Sequence, residues 1–307
     1  MDTTTTTLLD FAALTEDAVA RMRKRYAGHE VKVINVEKNN GVCLTGIAIV
    51  PADSNGETSL FPTIYLNELY EEYLDGTPME KIADRIADCY EANKGVDAAI
   101  LPDILHFDEV KDTICYRLIN AELNAETLNK IPYRAFLDLA MVYCIPVDMG
   151  DGSRGSITVT NDYAHMWKVD EERIHACAAA NTDRLYPAEL RTMEDVVQEL
   201  IPGCDMSDID SGMFILRNYV GSGGAGALFR KDILRGFADE HGDFYIIPSS
   251  ICEVILLPLS NAMKYVTKES IPCMVRDVNK NNVAPEEVLS NNAYLYHAGT
   301  GEIEILS

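Results

Sequence analysis

Positive charge is scarce in this chain. Only 26 of its 307 residues are Lys or Arg, against 49 Asp and Glu, and the formal net charge is −23. A field of that sign repels phosphate backbones and anionic membrane surfaces, so neither nucleic acid nor a membrane is an expected partner. The acids stand in short groups, such as Glu71-Glu72, Asp170-Glu171-Glu172 and Glu286-Glu287, as a solvated surface carries them. Long apolar runs are missing as well. Runs such as CEVILLPL fall well short of the roughly 20 residues needed to cross a bilayer. The opening stretch MDTTTTTLLDFAALTEDAVARMRKRYAGHE has acids where a secretory signal has its basic region, and its apolar residues are spaced for an amphipathic helix. No C-x-x-C is present. The eight cysteines (43, 89, 115, 144, 177, 204, 252 and 273) are scattered, Cys252 and Cys273 being the nearest pair, and none clusters with histidine. That argues against zinc, and the six histidines show neither H-E-x-x-H nor H-x-H spacing. The expectation is a cytoplasmic protein with free thiols, no metal and no cofactor.

With 47 % apolar and 24 % charged residues, the composition is that of a globular chain with a substantial core. Val31–Val36 and Val42–Val50 flank Asn40-Gly41, a dipeptide that accepts positive φ in a tight turn, and so predict a β-hairpin. Leu66, Leu69, Tyr70, Tyr73 and Leu74 mark one helix. Met79, Ile82, Ile86 and Tyr90 mark another, opened by Thr77 as cap and Pro78 at the first position. A helical stretch is expected around Ala125 to Phe136. It is followed by a hairpin of LDLAMVYCIPV and SITVT and a helix from about Asp170 to Leu185. FYIIP and EVILLPL predict strands, Lys268 to Asn279 a helix, and AYLYHAGTGEIEIL a closing hairpin. Hairpins in this number predict an α+β fold, with mainly antiparallel sheets covered by helices and a repeated hairpin-helix unit. The expected division is into lobes 1–128 and 129–307, with a single compact globular chain as the alternative.

One stretch, FILRNYVGSGGAGALFRKDILRGFADEHG, contains Gly221-x-Gly223-x-x-Gly226. A dinucleotide loop needs a helix that starts inside the motif and an acid about 20 residues further on. Here that count ends in YIIPSS, which has no acid, and no Lys-Ser or Lys-Thr comes after the glycines to make a P-loop. The glycines are therefore read as a turn, with Ala225 to Phe229 as its second strand, a helix from near Arg230, and no phosphate cradle.

Six blocks, EKNNGVCLTGI, PTIYLNELYEEYLDG, IPYRAFLDLAMVY, HACAAANT, IPSSICEVILLP and VNKNNVAPEEVLSNNAYLYH, resemble an uncharacterised bacterial protein family, a domain of unknown function. The likeness runs from about Val31 to Ile305. It implies an intracellular bacterial protein and brings no activity with it. The family pattern usually has histidine where this chain has Cys252.

Candidate chemistry gathers at Ser249, Ser250, Cys252 and Glu253, a path on which a hydroxyl or thiol with a nearby base would suit nucleophilic catalysis. The same residues also read as turn hydroxyls, a small apolar thiol and a capping acid. His165, His175 or His241 could act as base only if the fold brought one there. Asp205, Asp208 and Asp210 near Gly212 invite a calcium loop, but Tyr219 stands where an EF-hand needs Glu. The function expected is therefore binding or interaction, with an unidentified protein or small molecule as partner. The alternative is a hydrolase-like enzyme using Ser249 to Glu253. Thiol titration under denaturing, non-reducing conditions should count eight thiols. Stoichiometric zinc in a metal analysis would contradict the free-thiol expectation.

Overall fold

The computed structural model describes residues 8–52, 59–150, 154–201, 203, 210–262 and 266–307. Its fold is α+β, and it divides into two compact units. The first comprises the described residues of 1–38, 42–101 and 148–153, and the second those of 39–41, 102–147 and 154–307. The break falls at Leu101–Pro102 rather than at 128, because the strand Cys115–Asn120 pairs with Leu139–Cys144 and so belongs with the C-terminal part of the chain.

In the first unit, helix α1 (Phe11–Arg25) begins at Asp10, whose carboxylate accepts the Ala13 amide at 2.8 Å, and ends in Arg23, Lys24 and Arg25, the favourable charge for a helix C-terminus. Strands β1 (His29–Glu37) and β2 (Cys43–Pro51) form the expected hairpin, with Asn40 and Gly41 both at positive φ (61° and 68°). Strand β3 (Thr63–Tyr65) adds to β2, and helices α2 (Asn67–Leu74) and α3 (Met79–Asn93) come next. Leu14, Met22, Ile47, Ile49, Ile82, Ile86 and Tyr90 make the core. The expected Thr77 cap does not form. Pro78, extended at ψ 145°, is itself the residue before the helix, and no side chain caps it.

The second unit begins with β4 (Cys115–Asn120), β5 (Tyr133–Phe136), β6 (Leu139–Asp148) and β7 (Arg154–Thr158), in which β4, β5 and β7 all pair with β6. The helix expected around Ala125 to Phe136 shrinks to Ala125–Leu128. Tyr133–Phe136 instead pairs antiparallel with Leu139–Val142, its side chains alternating in exposure as a strand's do. Helix α4 (Glu171–Leu185) leads to β8 (Ala188–Thr192) and β9 (Phe214–Asn218), then helix α5 (Lys231–His241). The chain continues through β10 (Phe244–Ser250), β11 (Glu253–Pro258), helix α6 (Ile271–Asn282), β12 (Ala293–Tyr296) and β13 (Ile303–Leu306). The second sheet runs β8-β9-β11-β10-β12-β13, with each neighbouring pair antiparallel.

Strand β6 is almost continuously buried because both of its faces are covered. Leu139, Met141, Tyr143 and Ile145 join the main core with Leu216, Phe244, Leu256 and Tyr294. The alternate residues Ala140 and Val142 pack on Leu128 and Ile131. The other face of the six-stranded sheet packs Tyr245, Leu257 and Leu295 against Ile271 and Val275 of α6.

Asp138 ties the two sheets of this unit together. It sits in the two-residue turn between β5 and β6, beside Leu137 at φ 55°, a left-handed conformation that costs a branched side chain energy. Its carboxylate accepts from Ser290 Oγ at 2.5 Å, Asn292 Nδ2 at 3.0 Å and Tyr294 Oη at 2.7 Å. Burial, with the Asp138 charge adding to it, holds the Tyr294 hydroxyl protonated well above its usual range. Asp138→Ala leaves the Tyr294 and Ser290 hydroxyls without this acceptor and should cost about 3 kcal/mol, since hydrogen bonds to charged groups contribute roughly 1.5–3 kcal/mol. Urea denaturation should show a lower midpoint at unchanged slope, and an unchanged midpoint would refute this role of Asp138.

Candidate functional site

The glycine stretch forms a turn, as its residue types demand, but Ala225–Phe229 is not a strand. Gly224–Phe229 is a 3-10 helix, and α5 begins only at Lys231. The reason is topological: both edges of β9 are already paired, with β8 and with β11, so no edge remains for a further strand. Asn218 organises the turn, its Oδ1 accepting from the Val220 and Gly221 amides at 2.9 and 2.7 Å and its Nδ2 donating to Ser222 O at 2.9 Å. Gly221 and Gly223 stand at φ 84° and 64°, where L side chains are strained. Gly224 is required for a different reason: a Cβ there would lie 2.0 Å from the Cys252 carbonyl oxygen.

That contact explains where the segment singled out in the sequence has gone. Ser249 and Ser250 end β10, Glu253 begins β11, and Cys252 lies in the tight turn between them, on which the glycine turn rests. Ser249 Oγ donates to Glu253 Oε1 at 3.2 Å, and Ser250 Oγ accepts the Cys252 amide at 3.0 Å. Burial pushes the Cys252 thiol up, Glu287 adds to this, and the Gly223 amide and Ser250 hydroxyl oppose it. Among the described residues no histidine is hydrogen-bonded to any of the four. His241 packs against Phe214 and Phe237, and His175 lies on α4. Asp205 and Asp208 lie outside the described residues, and Asp210 accepts the Gly212 amide at 3.1 Å. Among the described residues no cluster of His, Cys, Asp and Glu could hold a metal ion.

What the sequence reading missed is a cavity of about 80 Å³ above the glycine turn. Gly223, Gly226 and Ser222 form one wall, β4 and β7 supply Arg117 and Arg154, α4 supplies Asp183, Tyr186 follows at the end of that helix, and Arg230 closes it. A water needs roughly 10–15 Å³ of such space, so a few waters or one small oxyanion fit and a dinucleotide does not. Gly226 is tight here too, since a Cβ would stand 3.3 Å from the Tyr116 ring.

Its electrostatics run against those of the whole molecule. Arg230 is held by Asp232, through Nε at 3.0 Å and Nη2 at 2.7 Å, with Asp183 at 3.5 Å. Arg117 donates from Nη2 to Thr158 Oγ1 at 3.3 Å, while its Nε is buried without any hydrogen-bond partner. Arg154 reaches the Tyr186 hydroxyl, which burial nonetheless pushes up to about 12. Among the described residues no carboxylate forms an ion pair with Arg117 or Arg154. A buried donor left unpaired costs roughly 1–3 kcal/mol, and a charged one more. An anion in the cavity would remove that cost. The only hint in the sequence is arginine at an interior position of the apolar strand CYRLIN, in a chain poor in base.

The glycine geometry makes a graded test. Gly224→Ala forces Cβ into backbone and should cost about 3 kcal/mol, in the upper range of overpacking penalties. Gly221→Ala, which has nothing within 4 Å and only its positive φ to satisfy, should cost about 1 kcal/mol. Urea denaturation of both proteins measures the order, and equal losses would contradict the close approach.

No curated protein matches the chain, and no solved structure matches it. Among the described residues no helix is long and apolar enough to cross a membrane. A family model does match, over residues 10–298, nearly the span on which the sequence blocks show their likeness. The chain therefore belongs to DUF5688, a family of unknown function.

Proposed function

We propose that this is a cytoplasmic bacterial binding protein that takes a small oxyanion, a phosphate or phosphomonoester group, between Arg117, Arg154 and the glycine turn. The observation that carries the reading is the buried Arg117 Nε without a partner, on a cavity whose size fits one such group. Arginine suits this task, because its planar guanidinium stays charged and grips an oxyanion through two parallel hydrogen bonds. A net charge of −23 makes two arginines without a carboxylate among the described residues the more telling. The cytoplasmic assignment rests on the scattered cysteines, of which the seven described are all free. Binding is favoured over hydrolysis at Ser249–Glu253 because both serine hydroxyls serve the turn itself and burial disfavours the Cys252 thiolate.

Titration calorimetry with inorganic phosphate tests the reading. Phosphate should bind at one site, and Arg117→Ala should weaken it about 10- to 100-fold, the equivalent of one or two charge-assisted hydrogen bonds. Arg154→Ala, at an exposed position of β7 that asks little of the fold, should weaken it in the same direction. Absence of phosphate binding, or binding indifferent to both substitutions in folded protein, would overturn the assignment.

A further inference from the structure

A second, wider cavity of about 500 Å³ opens beside the first, and Tyr116, Asp183 and Arg230 line both. Its walls are of another kind. Phe229, the last residue of the 3-10 helix, stands with its ring centroid 4.8 Å from that of Phe136 and 5.5 Å from that of Tyr116. Met141 and Ala179 extend this apolar wall, and Arg134, His175 and Lys231 lie along its margin.

His175 leaves one polar atom unused in the fold. Its Nδ1 is buried without a hydrogen-bond partner, and its ring contacts Tyr143 edge-on at 6.3 Å. The groups facing it are Arg134, which pairs with Glu171 at 2.7 Å, and Tyr143, whose hydroxyl also donates to Glu171. Burial first, and the Arg134 charge second, hold the imidazole neutral by pushing its pKa down, with Glu171 opposing. A neutral imidazole offers one donor and one acceptor, and so suits a hydroxyl or ring nitrogen rather than an anion.

We infer that the ligand is a ring-bearing phosphomonoester: its phosphoryl group occupies the arginine cavity and its aromatic body lies past Arg230 on the Phe136–Phe229 wall, within reach of His175. The inference rests on the phosphate reading above and adds the class of molecule. Two adjoining cavities fit such a ligand, one small and cationic, the other wide, aromatic and edged with an unused polar atom. A free inorganic ion would need only the first.

Calorimetry with inorganic phosphate and with phenyl phosphate separates the two claims. Phenyl phosphate should bind about tenfold or more tightly than phosphate, the gain of burying one ring against aromatic side chains. Phe229→Ala should abolish the gain and leave the affinity for inorganic phosphate unchanged. Phe136→Ala should do the same and serves if Phe229→Ala does not fold. The His175 ring resonances should move on adding phenyl phosphate and stay still on adding phosphate. Phosphate binding with no gain for phenyl phosphate, or a gain that survives in folded Phe229→Ala or Phe136→Ala, would overturn the inference and leave the arginine site standing. Failure of both ligands to bind would overturn both.

Discussion

The Cys252 carbonyl resting on the Gly224 Cα is the contact on which the arginine cavity depends. It brings the turn between β9 and α5 against the turn between β10 and β11, at a distance only a residue without Cβ allows. From there the 3-10 helix has one course to take: Ala225 donates its amide to Ile251 O, and Gly226 slides under the Tyr116 ring. Gly223, at positive φ, is left beside the Arg117 Cβ. The cavity is the space that remains between this course and the edge of the four-stranded sheet. Its shape is thus set by backbone against backbone, the least compliant packing a protein has.

Rigidity of this kind matters because the arginines on its wall are not self-sufficient. Arg230 has two carboxylates to hold it, whereas Arg117 is fixed by its place in β4 and by a single hydroxyl. A charged donor kept in place without its acceptor is a cost that folding alone does not explain, and such costs gather where a chain has a use for them. The Ser249–Glu253 segment enters the same picture as a foundation, since it holds up the glycine turn while its own hydroxyls satisfy their neighbours.

Much of the fold is legible in the sequence because its signals are local. Asn40-Gly41 specifies a tight turn, the β-rich runs of β10 and β11 specify strands, and the apolar spacing of α4 and α5 specifies helices. Tyr133–Phe136 escapes such a reading because four residues after a short helix carry too little periodicity, and its pairing with β6 decides the matter. Ala225–Phe229 looks like a strand until the sheet order shows both neighbours of β9 already taken. Of the arginine site, only Arg117 inside the apolar run CYRLIN is hinted at in the sequence. Arg117, Arg154 and Arg230 lie far apart in sequence, and only the pairing of β4 and β7 with the same strand, together with the glycine turn, brings them to one cavity.

The acid excess has a kinetic meaning for such a cavity. An anion approaching a body of charge −23 climbs a repulsive potential until it comes within about one Debye length, roughly 8 Å at physiological ionic strength, of the guanidinium groups. Capture of the proposed ligand would therefore be slow in dilute buffer and quicken as salt screens the long-range field, the reverse of what a basic anion-binding protein shows. An anion seated as proposed would lie against the buried Arg117 Nε, which salt reaches poorly, so its escape would hardly change. Such a molecule would discriminate by what it admits: a highly charged polyanion feels the barrier many times over, a small monoester only once or twice.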